Sequence, residues 1–218
     1  MRTGLSVSKD AIGAFVDAVY AIAVTILALE LPSDLENDAE LLMIGEIVIN
    51  YAISFFILFA LWVQHRRINL HIDHHGPLGL WLNALILMLV CLIPRATSFV
   101  FEYGGNVNFS ELEQAVFHSA GWTLADVIDL GFVTIVLAAD IGLLALLQLT
   151  PRDVRASEAA DIYRSKVTIS ILLILLMAAS LFLPYQNRVF LVALPVFLML
   201  EHHIAALLGR IRKHKTAI

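Results

Sequence analysis

Cysteine is almost missing. Of 218 residues only Cys91 carries a thiol, so neither an internal disulfide nor a Cys-x-x-Cys metal or redox pair can form. Charge is scarce too: 15% of residues are Asp, Glu, Lys or Arg, and the net charge of −5 gives no basic surface for a nucleic-acid partner. The sequence holds no Gly-rich phosphate loop, no His-Glu-x-x-His and no nucleophile–base spacing, which excludes the familiar enzyme centres. Neither glycine nor proline interrupts the first apolar stretch between Ala14 and Leu31.

What is abundant is apolar side chain. Hydrophobic residues make up 60% of the chain and the mean hydropathy is +0.84, against roughly 45–50% apolar in soluble domains. One soluble core of this size cannot bury that much, so lipid is the solvent for much of it. Six segments approach the roughly 20 residues that cross a hydrocarbon layer about 30 Å thick: Ala11–Leu31, Leu42–Gln64, Pro77–Phe101, Leu124–Leu149, Val167–Leu183 and Val189–Gly209. All are predicted helical, because an open strand leaves backbone groups unpaired in lipid. Ala11–Leu31 is too long for the apolar core of a signal peptide and reads as the first span. The expected architecture is all-α, a single six-helix transmembrane domain over residues 1–218.

Lys and Arg set the orientation. With six crossings, twelve of the fourteen fall on one side: Arg2 and Lys9, the pair Arg66 and Arg67, the stretch from Arg152 to Lys166, and the tail from Arg210 to Lys215. Only Arg95 and Arg188 fall on the other. The basic side is expected to be cytoplasmic, with both termini there and the protein multi-pass in a plasma membrane.

Helix one carries the unusual chemistry. Asp17 and Glu30 sit in or near an otherwise apolar span, and an ionised carboxylate in lipid costs at least about 2.5 kcal/mol. Asp17 must therefore face protein, water or a partner. It either pairs with Lys9 at the interface or joins a buried polar network, and Glu30 is expected at the outer interface. Ile22, Ile26 and Leu29 fall on one helical stripe with Thr25 beside it. Periodicity alone makes this a packing stripe.

The residues also carry a resemblance. Phe15-Val16-Asp17, followed by Ala21-Ile22-Ala23-Val24-Thr25-Ile26-Leu27, resembles the F-S-D…A-I-x-x-T-L-L signature of the potassium-channel family of transmembrane protein 175 and its prokaryotic relatives. Trp62 and His65 end helix two as W-x-x-H, Leu82-Asn83 opens helix three as L-N, and Pro94 closes it. The resemblance implies a homotetrameric, potassium-selective channel in a prokaryotic plasma membrane, conducting passively, with helix one lining the pore. It assigns a hydrophobic constriction to Ile22, Ile26 and Leu29 and a polar ring to Thr25. It gives a supporting network of Phe15, Asp17, Trp62, His65 and Asn83. No cofactor is implied, only a permeant potassium ion near Thr25 and Ile22, with lipid and monovalent cations as partners. Two positions depart from the pattern: Val16 stands where the family has serine, and Ala11 where it has arginine. There is no Thr-x-Gly-Tyr-Gly segment, so a backbone-carbonyl filter is absent and selectivity over sodium is expected to be modest to good.

Other titratable groups have plainer readings. His71, Asp73, His74 and His75 cluster between helices two and three, and His202 and His203 lie in helix six. They read as solvated loop histidines, the alternative being a metal or pH-sensing site. Asp126, Asp129 and Asp140 lie in helix four, Asp140 deepest, with a proton relay as the functional alternative. The rival to the channel is accordingly a proton-coupled transporter, or a proton-permeable pore, using Asp17, Asp140 or His65. Its discontinuous helices would need mid-span Gly or Pro, which helix one lacks.

Overall fold

The computed structural model describes residues 6–29, 38–103 and 124–150, with Thr168, Ile171, Leu172 and Leu175. In chain order these form strand β1 (Val7–Ser8), helix α1 (Lys9–Leu29), helix α2 (Asp38–Leu70), strand β2 (His74–His75), helix α3 (Pro77–Tyr103) and helix α4 (Leu124–Leu147). Among the described residues three helices are long and apolar enough to cross a membrane: Lys9–Leu29, Pro77–Phe99 and Leu130–Leu147. The chain is a helical membrane protein. The segments expected at 167–183 and 189–209 lie outside the described residues apart from the four named, as do Glu30, His202 and His203.

The ends of helices two and three differ from the sequence reading. Helix two was expected to stop at Gln64, with W-x-x-H at its end; α2 runs on to Leu70. Polar residues end an apolar run but not a helix, and no glycine or proline intervenes before Gly76. At 33 residues and 1.5 Å per residue, α2 is about 50 Å long and overshoots the hydrocarbon layer. Pro94 does not close helix three, and Leu82-Asn83 does not open it, since α3 spans Pro77–Tyr103 around both. Pro94 removes one rung of the ladder, but in an apolar segment the remaining backbone groups find no partners outside the helix, so the helix continues.

Among the described residues the core is one apolar cluster shared by the four helices. α3 packs most extensively on α4, while α1 lies against α2 and α3. Gly142 allows the close α3–α4 approach: a Cβ there would stand 2.8 Å from Cγ1 of Ile86. At one end of the bundle β1 pairs antiparallel with β2, Val7 opposite His75 and Ser8 opposite His74. The amide of Lys9 donates to the carbonyl of Asp73 at 3.1 Å. This clip ties the start of α1 to the α2–α3 connection.

Candidate functional site

Helix α1 has two unlike faces. Ile12, Val16, Tyr20, Ala23 and Leu27 are buried, the spacing of one stripe turned toward α2 and α3. A second stripe is exposed: Phe15 is 57% exposed, Ile22 56%, Ile26 41% and Leu29 78%. Thr25 is exposed on the same side, and its hydroxyl donates to the carbonyl of Ala21 at 2.8 Å. That bond uses the hydroxyl hydrogen and leaves the oxygen able to accept. Val16, where the family pattern has serine, lies on the buried face with no exposed surface.

Asp17 sits at the edge between the faces and is held from α2. Trp62 Nε1 donates to its Oδ1 at 2.8 Å and Arg66 Nη1 to its Oδ2 at 2.7 Å. The pairing of Asp17 with Lys9 does not occur. Eight residues of helix put Lys9 about 12 Å away along the axis, and its ammonium bonds Asp73 instead at 2.9 Å. Arg66 is the partner that sequence reasoning missed. It counted only toward orientation, because it follows His65 at a membrane edge. The guanidinium reaches Asp17 across Gly13, where a Cβ would stand 2.7 Å from Nη1. A glycine one turn before an acid in a spanning helix was the available signal.

His65 and Asn83 form a second cluster, distinct from Asp17. His65 Nε2 lies 2.8 Å from Asn83 Oδ1, which also accepts from Asn69 Nδ2 at 3.0 Å. A shared carbonyl oxygen requires Nε2 to carry the proton. Asn83 Nδ2 donates to the carbonyl of Gly79 at 2.7 Å and lies 3.5 Å from His75 Nδ1. α1 touches this cluster through Tyr20, whose ring meets that of His65 edge-on at 5.9 Å. The network expected behind the stripe is thus two clusters on α2, each reaching α1 at its own point.

The loop histidines divide. His74 is exposed, as a solvated residue would be, but His75 is 1% exposed. Burial holds its imidazole below the ordinary value of 6.5. Asp73 beside it is held below the usual carboxylate value by the hydrogen bond and charge of Lys9. No group of three or more His, Cys, Asp and Glu arranged to hold a metal ion occurs among the described residues. Asp140 is wholly buried in α4, and the side chains of Asp126 and Asp129 lie outside the described residues.

The family model described as "Endosomal/lysosomal potassium channel TMEM175" matches residues 11–94. A potassium channel of Chamaesiphon minutus is 32% identical over 99 residues, covering 42% of this chain and 49% of the relative. A potassium channel of Streptomyces collinus is 29% identical over 109 residues, covering 48% and 53% respectively. The chain therefore spans about half the length of the curated relatives it matches. The crystal structure of a lysosomal potassium-selective channel TMEM175 homolog from Chamaesiphon minutus superimposes with a TM-score of 0.72. That match covers 89% of this chain and 97% of the other at 23% identity, a likeness of fold. Residues 11–94, which hold the exposed stripe of α1 and both polar clusters behind it, match the TMEM175 family model, in a chain with the fold of the Chamaesiphon minutus homolog.

Proposed function

We propose that the chain is one subunit of a potassium-selective cation channel that conducts passively through a tetrameric pore. The observation that carries this reading is the uncovered stripe of α1. Phe15, Ile22, Ile26 and Leu29 are exposed beside Thr25, while another face of the same helix is closed by its own subunit. One helix face cannot enclose a path, so the pore requires further copies. Four copies bring Ile22, Ile26 and Leu29 into apolar rings that close by dewetting, and Thr25 into a ring of hydroxyls that replaces part of a cation's hydration shell. Asp17, Trp62, His65 and Asn83 hold the pore helix from behind. The permeant potassium ion passes near Thr25 and Ile22, and no cofactor takes part. Each subunit is a single six-helix domain over residues 1–218, with both termini cytoplasmic in a prokaryotic plasma membrane. The names of the matched relatives support the choice of ion.

The test is potassium flux from liposomes holding the purified protein, run beside sodium and beside Ile22→Asn. Potassium flux above sodium, rising with weaker discrimination in the variant, is the expected result. Flux only under an imposed proton gradient, unmoved by the variant, would overturn it. The wholly buried Asp140 and His65 would then favour a proton-coupled transporter or proton-permeable channel.

A further inference from the structure

A groove of about 300 Å³ runs between α1 and α2, with Asp17 and Trp62 at one end. Its α1 wall is one stripe of the helix, from Asp17 through Ala21 to Val24. Its α2 wall carries a run of rings: Phe55 and Phe59 stack at 6.3 Å, and Phe59 meets Trp62 at 5.6 Å. Seven residues of helix make the groove about 10 Å long, inside the apolar span Lys9–Leu29. We propose that this groove binds a lipophilic monoamine, its ammonium on Asp17 and its apolar body along the rings.

Charge and shape favour that occupant over a lipid tail. Among the described residues that line the groove, Asp17 alone carries a charge. Lys9 and Arg66 line a separate crevice on the same acid. Arg66 bonds Oδ2, whereas Oδ1 accepts only the neutral indole N–H of Trp62. A carboxylate offers about four acceptor sites, and 39% of the Asp17 side chain is accessible. A lipid tail would leave the unused acceptors facing hydrocarbon, which is costly inside a span. An ammonium N–H takes one of them, and the dry surroundings strengthen the contact. Ring faces within about 6 Å attract the same cation. Phe59 is 41% exposed and Ala21 is exposed, so the groove is open to entry. Its volume stands at the lower end of small-molecule pockets, roughly 300–1,000 Å³, which suits a body of two rings. An anion is repelled by Asp17, and an alcohol offers only a neutral donor. The site depends on α1 packing against α2 and not on what the chain conducts.

The experiment is photolabelling of the full chain in phosphatidylcholine vesicles with para-benzoylbenzylamine, a two-ring amine whose ketone inserts into nearby C–H bonds. Its neutral twin, para-benzoylbenzyl alcohol, is run beside it, and labelled peptides are located by mass spectrometry. At equal membrane concentration the amine should label residues 17–24 and 55–62 about tenfold above the alcohol, the worth of one charged hydrogen bond. Asp17→Asn should remove that preference. Ala21→Phe, which places a ring in the groove from an exposed position, should abolish labelling there with helicity unchanged. Equal labelling by amine and alcohol in wild type, or amine labelling that survives both variants, would overturn the proposal. Labels confined to Ile22, Ile26 and Leu29 would overturn it too, by placing the amine on the exposed stripe. A chain that takes the amine in the groove yet passes no potassium would sink the channel reading and leave this site standing.

Discussion

Along α1 the face carrying Ile12, Val16, Tyr20, Ala23 and Leu27 is closed by packing within the subunit, while the face carrying Phe15, Ile22, Ile26 and Leu29 is left exposed. Both faces are apolar, so the contrast is one of packing and not of polarity. In lipid, apolar side chains gain little by leaving the surroundings for a neighbouring helix; what holds the closed face is dispersion contact and the absence of unpaired polar groups. The open face is under no such constraint from its own subunit and is free to serve a partner or a path.

The largest test of that contrast is a matched pair of asparagines. Val16→Asn places an unpartnered amide on a wholly buried position and is expected to cost about 2–3 kcal/mol in unfolding from mixed micelles. Ile22→Asn should cost far less in the same assay, yet raise potassium flux about tenfold or more, a barrier change of about 1.4 kcal/mol. Equal destabilisation by the two would mean that the open face is packed as tightly as the closed one.

The next effect concerns what pins α1 to α2. Arg66→Met removes one of two donors from a half-buried carboxylate, a loss of about 1–2 kcal/mol, visible as a lower unfolding midpoint. Gly13→Ala pushes on the flexible end of Arg66, so its own cost is smaller. In the Arg66→Met background it should add nothing, and a double-mutant cycle reads this directly. Tyr20→Phe goes the other way. The Tyr20 hydroxyl is buried without a hydrogen-bond partner, so its removal should be neutral or stabilise by up to about 1 kcal/mol. A clear loss would reveal that the hydroxyl is bonded in the membrane-embedded assembly.

Much of this was legible because lipid imposes blunt rules. Length and hydropathy place α1, α3 and α4 within a few residues, since an apolar run must be helical where no water can serve the backbone. The stripe of Ile22, Ile26 and Leu29 could be read from period, and the importance of Asp17 from its cost in lipid. Which face of α1 would be covered could not be read, because both are apolar. The end of α2 was misplaced, since helices outlast the hydrophobic layer. The reach of Arg66 across Gly13 and the split between the Asp17 and Asn83 clusters depend on α2 lying beside α1, a tertiary fact. The clip between Val7–Ser8 and His74–His75 is two residues long on each side, too short for any alternation to signal.

That clip gives the smallest effect, and its direction follows from the two groups beside it. His75 packs against Asn83 and Gly79, with His74 and the Lys9–Asp73 pair next to it. Burial lowers its folded value below 6.5. As pH falls below 6.5 the unfolded chain takes up a proton that the folded chain refuses, so stability is full above that value and declines toward the folded one. Asp73 is also lowered, from 3.8, so its contribution is present above 3.8 and is lost only in stronger acid. Thermal unfolding of wild type should therefore weaken modestly from pH 6.5 downward. His75→Gln, which keeps a hydrogen-bonding end but does not titrate, should flatten that slope while leaving the steeper loss in strong acid. Asp73→Asn should lower stability near neutrality, where Lys9 loses its partner, and leave the slope below pH 6.5 in place. A slope that survives His75→Gln unchanged would show that the imidazole does not sense the burial of the clip, and the acid sensitivity would then belong to another group.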